Sequence, residues 1–180
     1  MTATLASARS VRPEPDEFAQ FYAGYVARVG DGDIVQCLDR QIAETLILLA
    51  SVSEERAGYR YAPGKWSIRQ IVGHLCDGER VFVYRAMRFA RADQTPLPGF
   101  DENHFVANAS FDRRTLASLA QEYAAVRRGT VAFFDSLVPE EWLRRGVASD
   151  NPFSVRALAW IAAGHELHHR EILRTRYLAP

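Results

Sequence analysis

A chain of 180 residues with 48% hydrophobic and 24% charged residues is long enough for one domain with a full apolar core, without disulfides to stabilise it. Its 22 basic and 22 acidic residues cancel, which leaves no electrostatic case for nucleic acid or an anionic membrane as partner. Cys37 and Cys76 are isolated thiols and suit a reducing cytoplasm, no apolar run approaches the roughly 18 residues of a membrane span, and Met1 to Ser10 lacks a signal-peptide core. Cytoplasmic is the expected location. Lys65 is the single lysine.

Residues 1–15 mix Ala, Ser, Arg and Pro and are expected to form a loose arm, with the helical domain over 16–180. Asp16 or Glu17 can begin a short helix whose apolar side is Phe18, Phe21, Tyr22 and Tyr25; Gly30-Asp31-Gly32-Asp33 ends it. Asp33 is a good N-cap for a first long helix from Ile34 to about Ser53. Its stripe reads Ile34, Leu38, Ile42, Thr45, Leu46 and Leu49, in steps of three and four. After a connection rich in aromatics and turn residues, Trp66-Ser67-Ile68-Arg69-Gln70-Ile71 carries a capping box, Ser67 with Gln70, and a staple, Trp66 with Ile71. The second long helix is predicted to run to about Arg91.

Residues 92–110 contain Pro96, Pro98 and Gly99. A connection this long crosses the end of a bundle more readily than it turns a tight corner, so the flanking helices are expected to run parallel, with Gln70 and Asp112 at one end. Ser110 or Asp112 can start the third long helix, with Leu116, Leu119, Tyr123, Val126, Thr130, Phe133, Phe134 and Leu137 facing inward. Phe153-Ser154-Val155 opens the fourth, over 155–178, with Ser154 as cap. No segment reads as a strand and no repeat is visible. The fold class is all-α, a four-helix bundle.

Three of the five histidines fall within Gly164-His165-Glu166-Leu167-His168-His169. Residues four apart stack on one helix face, so His165 and His169 lie on the stripe of Leu158, Ile161, Ala162 and Ile172. Inward imidazoles need partners for their nitrogens. A metal satisfies both at once; a bundle with hydrogen-bonded core histidines is the bland alternative. A third ligand is at hand in His74, which shares a face with Ile71, Leu75, Gly78 and Phe89. Three histidines from two helices make an open site with a position left for water or substrate. Each helix also carries a Gly-His pair, Gly73-His74 and Gly164-His165, and these glycines allow a helix or ligand to approach closely.

The remaining chemistry-bearing residues divide less cleanly. Residues 165–169 satisfy HExxH, but the downstream Gly and His positions of the metzincins are Ile172 and Thr175 here, so a protease is not the preferred reading. Glu166 is a candidate proton-transfer group or a solvated carboxylate. Asp101, Glu102 and His104 can reach the site mouth, and Asp101 can equally cap a short helical turn. His168, about 100° from its neighbours, is expected to be partly exposed, and Cys76, two residues from His74, points away. Tyr84, Arg85 and Trp160 read as core and rim residues rather than substrate binders.

Together, Tyr61-Ala62-Pro63-Gly64-Lys65-Trp66-Ser67-Ile68 leading to Gly73-His74-Leu75, the Pro98-Gly99-Phe100-Asp101-Glu102 connection, and Phe153-Ser154 leading to the 164–169 segment resemble the DinB/YfiT-like superfamily in content and order. The resemblance implies an up-down-down-up four-helix bundle with a long crossover between the second and third long helices. It also implies one divalent ion, zinc or nickel, on His74, His165 and His169. Activities implied are water activation, as in a hydrolase, or activation of a low-molecular-weight thiol, as in an S-transferase. Glu166 and Asp101 are then the candidate catalytic groups. The expected partners are a small-molecule substrate and a second copy of the chain. The alternative is a non-catalytic metal-binding stress-response module.

Overall fold

The computed structural model describes residues 8–179. Four long helices, α2 (Ile34–Ala50), α3 (Ile68–Ala90), α5 (Leu116–Asp135) and α7 (Val155–Ile172), form the bundle. Short α1 (Ala23–Arg28), α4 (Glu102–Asn108) and α6 (Pro139–Trp142) decorate it, and a π-helical turn, Leu173–Tyr177, prolongs α7. Three of the four long starts follow the expected caps. The Asp33 carboxylate accepts from the amides of Val35 and Gln36 at 2.9 and 3.2 Å. Ser67 and Gln70 close their reciprocal box at 3.1 and 3.0 Å, and the Ser154 hydroxyl accepts from Ala157 at 3.0 Å. Each cap satisfies an amide that the first helical turn leaves without a partner.

The third long helix starts later than Ser110 or Asp112, at Leu116. Thr115 takes the amide of Ser118 at 3.1 Å, and the Glu54 carboxylate takes that of Leu116 at 2.8 Å, so the free amides are satisfied there instead. Asp112 lies in a 3₁₀ turn, Phe111–Arg113, and accepts from the Ser67 hydroxyl at 2.5 Å and from Arg60 at 2.7 Å. Arg60 also holds Gln70. The segments leading into α3 and α5 therefore meet at one end of the bundle.

Three expectations need correction. Residues 145–154, read as a plain link, form an antiparallel hairpin of β1 (Arg145–Ala148) and β2 (Asn151–Ser154). Its turn residues Ser149 and Asp150 have φ of 50° and 60°, the twist-matched turn in which Asn-Gly would have been the recognisable signal. Gly146 makes room for the Phe89 ring, which a Cβ would meet at 2.1 Å, and Leu97 bonds to Val147 and Ser149, tying the 92–110 connection to the hairpin. Residues 8–15, expected to belong to a loose arm, are pinned: Arg9 pairs with Asp33 and Asp135. Arg12 donates to the carbonyls of Val26 and Val29 at 2.5 and 2.7 Å with its guanidinium over the Trp160 ring. The rest of the arm, 1–7, lies outside the described residues. The short helix anticipated from Asp16 is two 3₁₀ turns followed by α1, and Glu17 turns inward to hold Ser154 and Arg156.

The core has two apolar clusters, one around Phe82, Phe89, Trp142, Leu158 and Trp160, the other around Ile71, Leu75, Leu119, Tyr123 and Tyr177. On every long helix a buried polar side chain lies between the buried residues of the two clusters: Thr45, Glu79, Arg127 and Glu166. The histidines lie near this level.

Candidate metal centre

Two helices supply three imidazoles. His74 comes from α3, and His165 and His169 come from successive turns of α7; all are buried. One nitrogen of each falls within 4.8 Å of the other two. His74 Nε2 and His165 Nε2 are 2.9 Å apart, and the ring centroids are separated by 4.6 to 4.9 Å. Small residues permit this convergence. A Cβ at Gly78 would stand 3.0 Å from His165 Cε1, and one at Gly164 would stand 2.1 Å from the Tyr25 carbonyl oxygen, so Gly164 lets α1 lie on α7. Trp66 lies 4.7 Å from the His74 ring, and Tyr25 lies 5.5 Å from the His165 ring and 5.1 Å from that of His168.

Burial holds the three imidazoles neutral. It pushes His74 down to about 4, with repulsion from His168 adding to it. It pushes His165 and His169 well below 6.5, with repulsion among the clustered rings in the same direction. Neutral imidazole is the form that binds metal. Two facing ring nitrogens can share only one proton, and His169 Nδ1 is buried with no hydrogen-bond partner among the described residues, a costly arrangement for imidazoles left to themselves. Tetrahedral ligands about 2 Å from zinc are about 3.3 Å from each other, within a few tenths of an ångström of the spacing of His74 and His165. The residues fit a three-histidine ion site, and imidazole donors suit first-row divalent metals.

The other candidates divide sharply. Glu166 is neither solvated nor at the histidines: it is wholly buried, accepts from the Thr45 hydroxyl at 2.5 Å and from Arg127 at 2.6 Å. The same Arg127 makes a two-pronged pair with Glu79 at 2.8 and 2.7 Å, and donates to the Leu38 carbonyl and the Tyr123 hydroxyl. Glu166 is thus one end of a structural ion network, which also disposes of the HExxH reading, whose glutamate must face the metal. Asp101 is not at the site either; its carboxylate caps α4, accepting from Asn103 and His104 at 2.9 and 3.1 Å. His104 is exposed, His168 partly so. Cys76 is buried among apolar side chains, which pushes its thiol up to about 12. Sequence reasoning missed Arg127 and Glu79. The signal was present: Arg127 lies four residues after Tyr123 and three before Thr130, and Glu79 lies four after Leu75 and three before Phe82, charges on inward stripes that only mutual pairing makes tolerable.

A cavity of about 160 Å³ opens onto all three histidines, walled by Tyr22, Tyr25, Trp66, Phe82 and Phe100, with Glu102 as the carboxylate at its edge. Beyond Trp66 a second cavity of about 240 Å³, between Tyr61, Lys65 and Tyr177, reaches His169 from the other side.

Comparison with known proteins agrees with this architecture. A 53-residue stretch is 34% identical to a protein of Oceanobacillus iheyensis named "Putative metal-dependent hydrolase". The stretch covers 29% of this chain and 30% of that relative, so the likeness spans under a third of its length. Among solved structures, YfiT from Bacillus subtilis superposes with a TM-score of 0.68 at 15% identity, over 93% of this chain and 97% of that one. It is described as a probable metal-dependent hydrolase with an unusual four-helix bundle topology. A mycothiol-dependent maleylpyruvate isomerase superposes with a TM-score of 0.64 at 10% identity, over 76% of this chain and 57% of that one. At such identities the likeness is one of fold. The DinB superfamily model matches residues 38–173, from within α2 to the end of α7, and the chain belongs to that superfamily.

Proposed function

We propose that this protein is a metal-dependent enzyme in which His74, His165 and His169 hold one divalent ion, zinc or nickel. The observation that carries the reading is the trio of buried, neutral imidazoles opening on a cavity, with His169 Nδ1 unpartnered. When bound, such an ion lowers the pKa of a water or thiol at its open position, giving a nucleophile near neutral pH. The protein side chains do the rest. Gly78 leaves room for the His165 ring, and the Trp66 and Phe82 rings keep the histidines away from bulk water. Glu102, half-buried at the cavity edge, accepts the proton from the attacking water or thiol, the part expected of Asp101 and Glu166. Burial raises the phenols of Tyr22 and Tyr25, so both remain protonated donors toward substrate.

Hydrolysis is favoured by the names of the Oceanobacillus and YfiT relatives; thiol chemistry is favoured by that of the mycothiol-dependent one. The helix course belongs to the same reading: up-down-down-up, with residues 92–110 as the crossover, supported by Arg60 and Ser67 joining the entries of α3 and α5. The test is elemental analysis of untagged protein, followed by turnover assays with ester and amide substrates and with thiol plus an aryl halide. About one ion per chain is expected, with loss of ion and turnover in His74→Ala. Full occupancy in that variant refutes the ligand set.

A further inference from the structure

Three arginines are buried among the described residues. Arg127 is neutralised by Glu79 and Glu166, and Arg170 by Glu44. Among the described residues Arg85, 2% exposed, has no carboxylate within ion-pair distance, and its Nη1 has no hydrogen-bond partner. A buried guanidinium without a counter-charge is costly, so its position bears on what completes it. Arg85 lies eleven residues after His74 on α3, three turns along and within about 20° of the same face, with Gly78 and Phe82 between them. Its Nη2 donates to the Pro98 carbonyl and the Ser149 hydroxyl, both at 3.0 Å. Its Cζ lies 5.8 Å from the centroid of the Phe100 ring, and the Tyr22 hydroxyl is a hydrogen-bonding neighbour of the guanidinium. Ser149, Phe100 and Tyr22 are walls of the cavity that reaches the three histidines. Arg85 does not itself line the cavity; its guanidinium stands directly behind the wall that Tyr22, Phe100 and Ser149 form, three turns along α3 from His74.

We infer that the substrate is a small organic acid whose carboxylate is bound by Arg85 while its reacting end lies at the three histidines. The inference rests on the proposed enzyme reading and names its substrate class. Size limits the rest of the molecule: about 160 Å³ is close to the roughly 150 Å³ of a cavity that holds benzene, so one ring or a short chain fits. Aromatic walls suit an apolar body. A single guanidinium suits one carboxylate, whereas a phosphate dianion would find no second cation among the residues that line the cavity.

The experiment measures binding of 3-phenylpropionate, its amide and phenyl phosphate by calorimetry at pH 8. The proteins are wild type as isolated, Arg85→Gln and Arg85→Lys, with metal content recorded for each. The acid should bind at least tenfold more tightly than the amide. Arg85→Gln should erase that preference while leaving amide affinity and metal content unchanged, and Arg85→Lys should restore part of it. Equal affinity of acid and amide in the wild type overturns the inference, as does a preference that survives Arg85→Gln, since the acid would then sit on the histidine site. Tighter binding of phenyl phosphate overturns the carboxylate class. If Arg85→Gln fails to fold because Pro98 and Ser149 lose their anchor, crystals soaked with the acid decide: a carboxylate out of hydrogen-bond reach of Arg85 refutes it. Metal and turnover without an acid preference remove only this inference; an Arg85-dependent preference in a protein that binds no metal keeps it and removes the enzyme reading.

Discussion

Replacing Arg127 by Met tests the assignment of Glu166 to structure rather than catalysis. The guanidinium is almost wholly buried and makes five contacts at 2.6 to 3.0 Å, two of them to Glu79, one to Glu166, one to the Leu38 carbonyl and one to the Tyr123 hydroxyl. Methionine fills much of the same volume, so the cavity contribution is small and the cost is electrostatic. Stranding one buried carboxylate costs about 3–5 kcal/mol. Here two are stranded together, and only Glu166 keeps another donor, Thr45. Two like charges in one site force one of them to bind a proton, which caps the cost at about 5 kcal/mol at pH 7, a large part of the stability of an ordinary domain. The sign with pH follows. In the variant a carboxyl protonated when folded has its folded pKa above its unfolded value, so the folded state binds more protons and regains stability as pH falls from 7 toward 4.5, by up to about 1.4 kcal/mol per pH unit. Urea denaturation followed by circular dichroism at pH 7.5, 6.5 and 5.5 measures the difference between variant and wild type. Glu79→Leu combined with Arg127→Met and Glu166→Leu should return to within about 2 kcal/mol of the wild type. A loss below about 1 kcal/mol that does not change with pH would refute the network as described.

In protein treated with a chelator the three histidines are open to titration. His74, held at about 4 by burial when folded, takes a proton near 6.5 when unfolded, so stability is full above about 6.5 and declines as pH falls toward 4. His74 alone accounts for about 2 kcal/mol by pH 5, with His165 and His169 acting in the same direction; a flat melting profile between pH 7.5 and 5 contradicts this. Gly164→Ala places a Cβ 2.1 Å from the Tyr25 carbonyl oxygen, so despite better helix propensity the protein should lose about 2 kcal/mol, and an unchanged or higher Tm would show that α1 does not rest on α7 there. Asp101→Ala should cost about 1 kcal/mol through the lost cap of α4 and leave metal content and turnover in place; abolished turnover with α4 still ordered would return Asp101 to the chemistry.

The chain alone determined what local rules control. Asp33, Ser67 and Ser154 mark helix starts because a short side-chain acceptor beside free amides acts within four residues, whatever surrounds it. The four-residue step between His165 and His169 sets them on one face for the same reason, and the inward stripe of α3 adds His74. The third long helix is capped by Thr115 rather than Ser110 or Asp112, where Glu54 arrives from 62 positions away to hold Leu116. The hairpin at 145–154 was invisible because Ser149-Asp150 lacks the glycine of the usual turn, and Phe89 and Leu97 stabilise it from elsewhere. The roles of the charged residues were decided by tertiary structure. The step of about 100° from His165 to Glu166 turns the carboxylate off the histidine face, but whether that sector meets water or core depends on α2 and α5, which carry Thr45 and Arg127 there. Likewise Arg85 shares His74's face by count, yet only the 92–110 connection and the hairpin, folded over it, leave its charge buried, uncompensated and behind the cavity. Periodicity says which way a side chain points along its own helix; what it points at is set by elements distant in the chain.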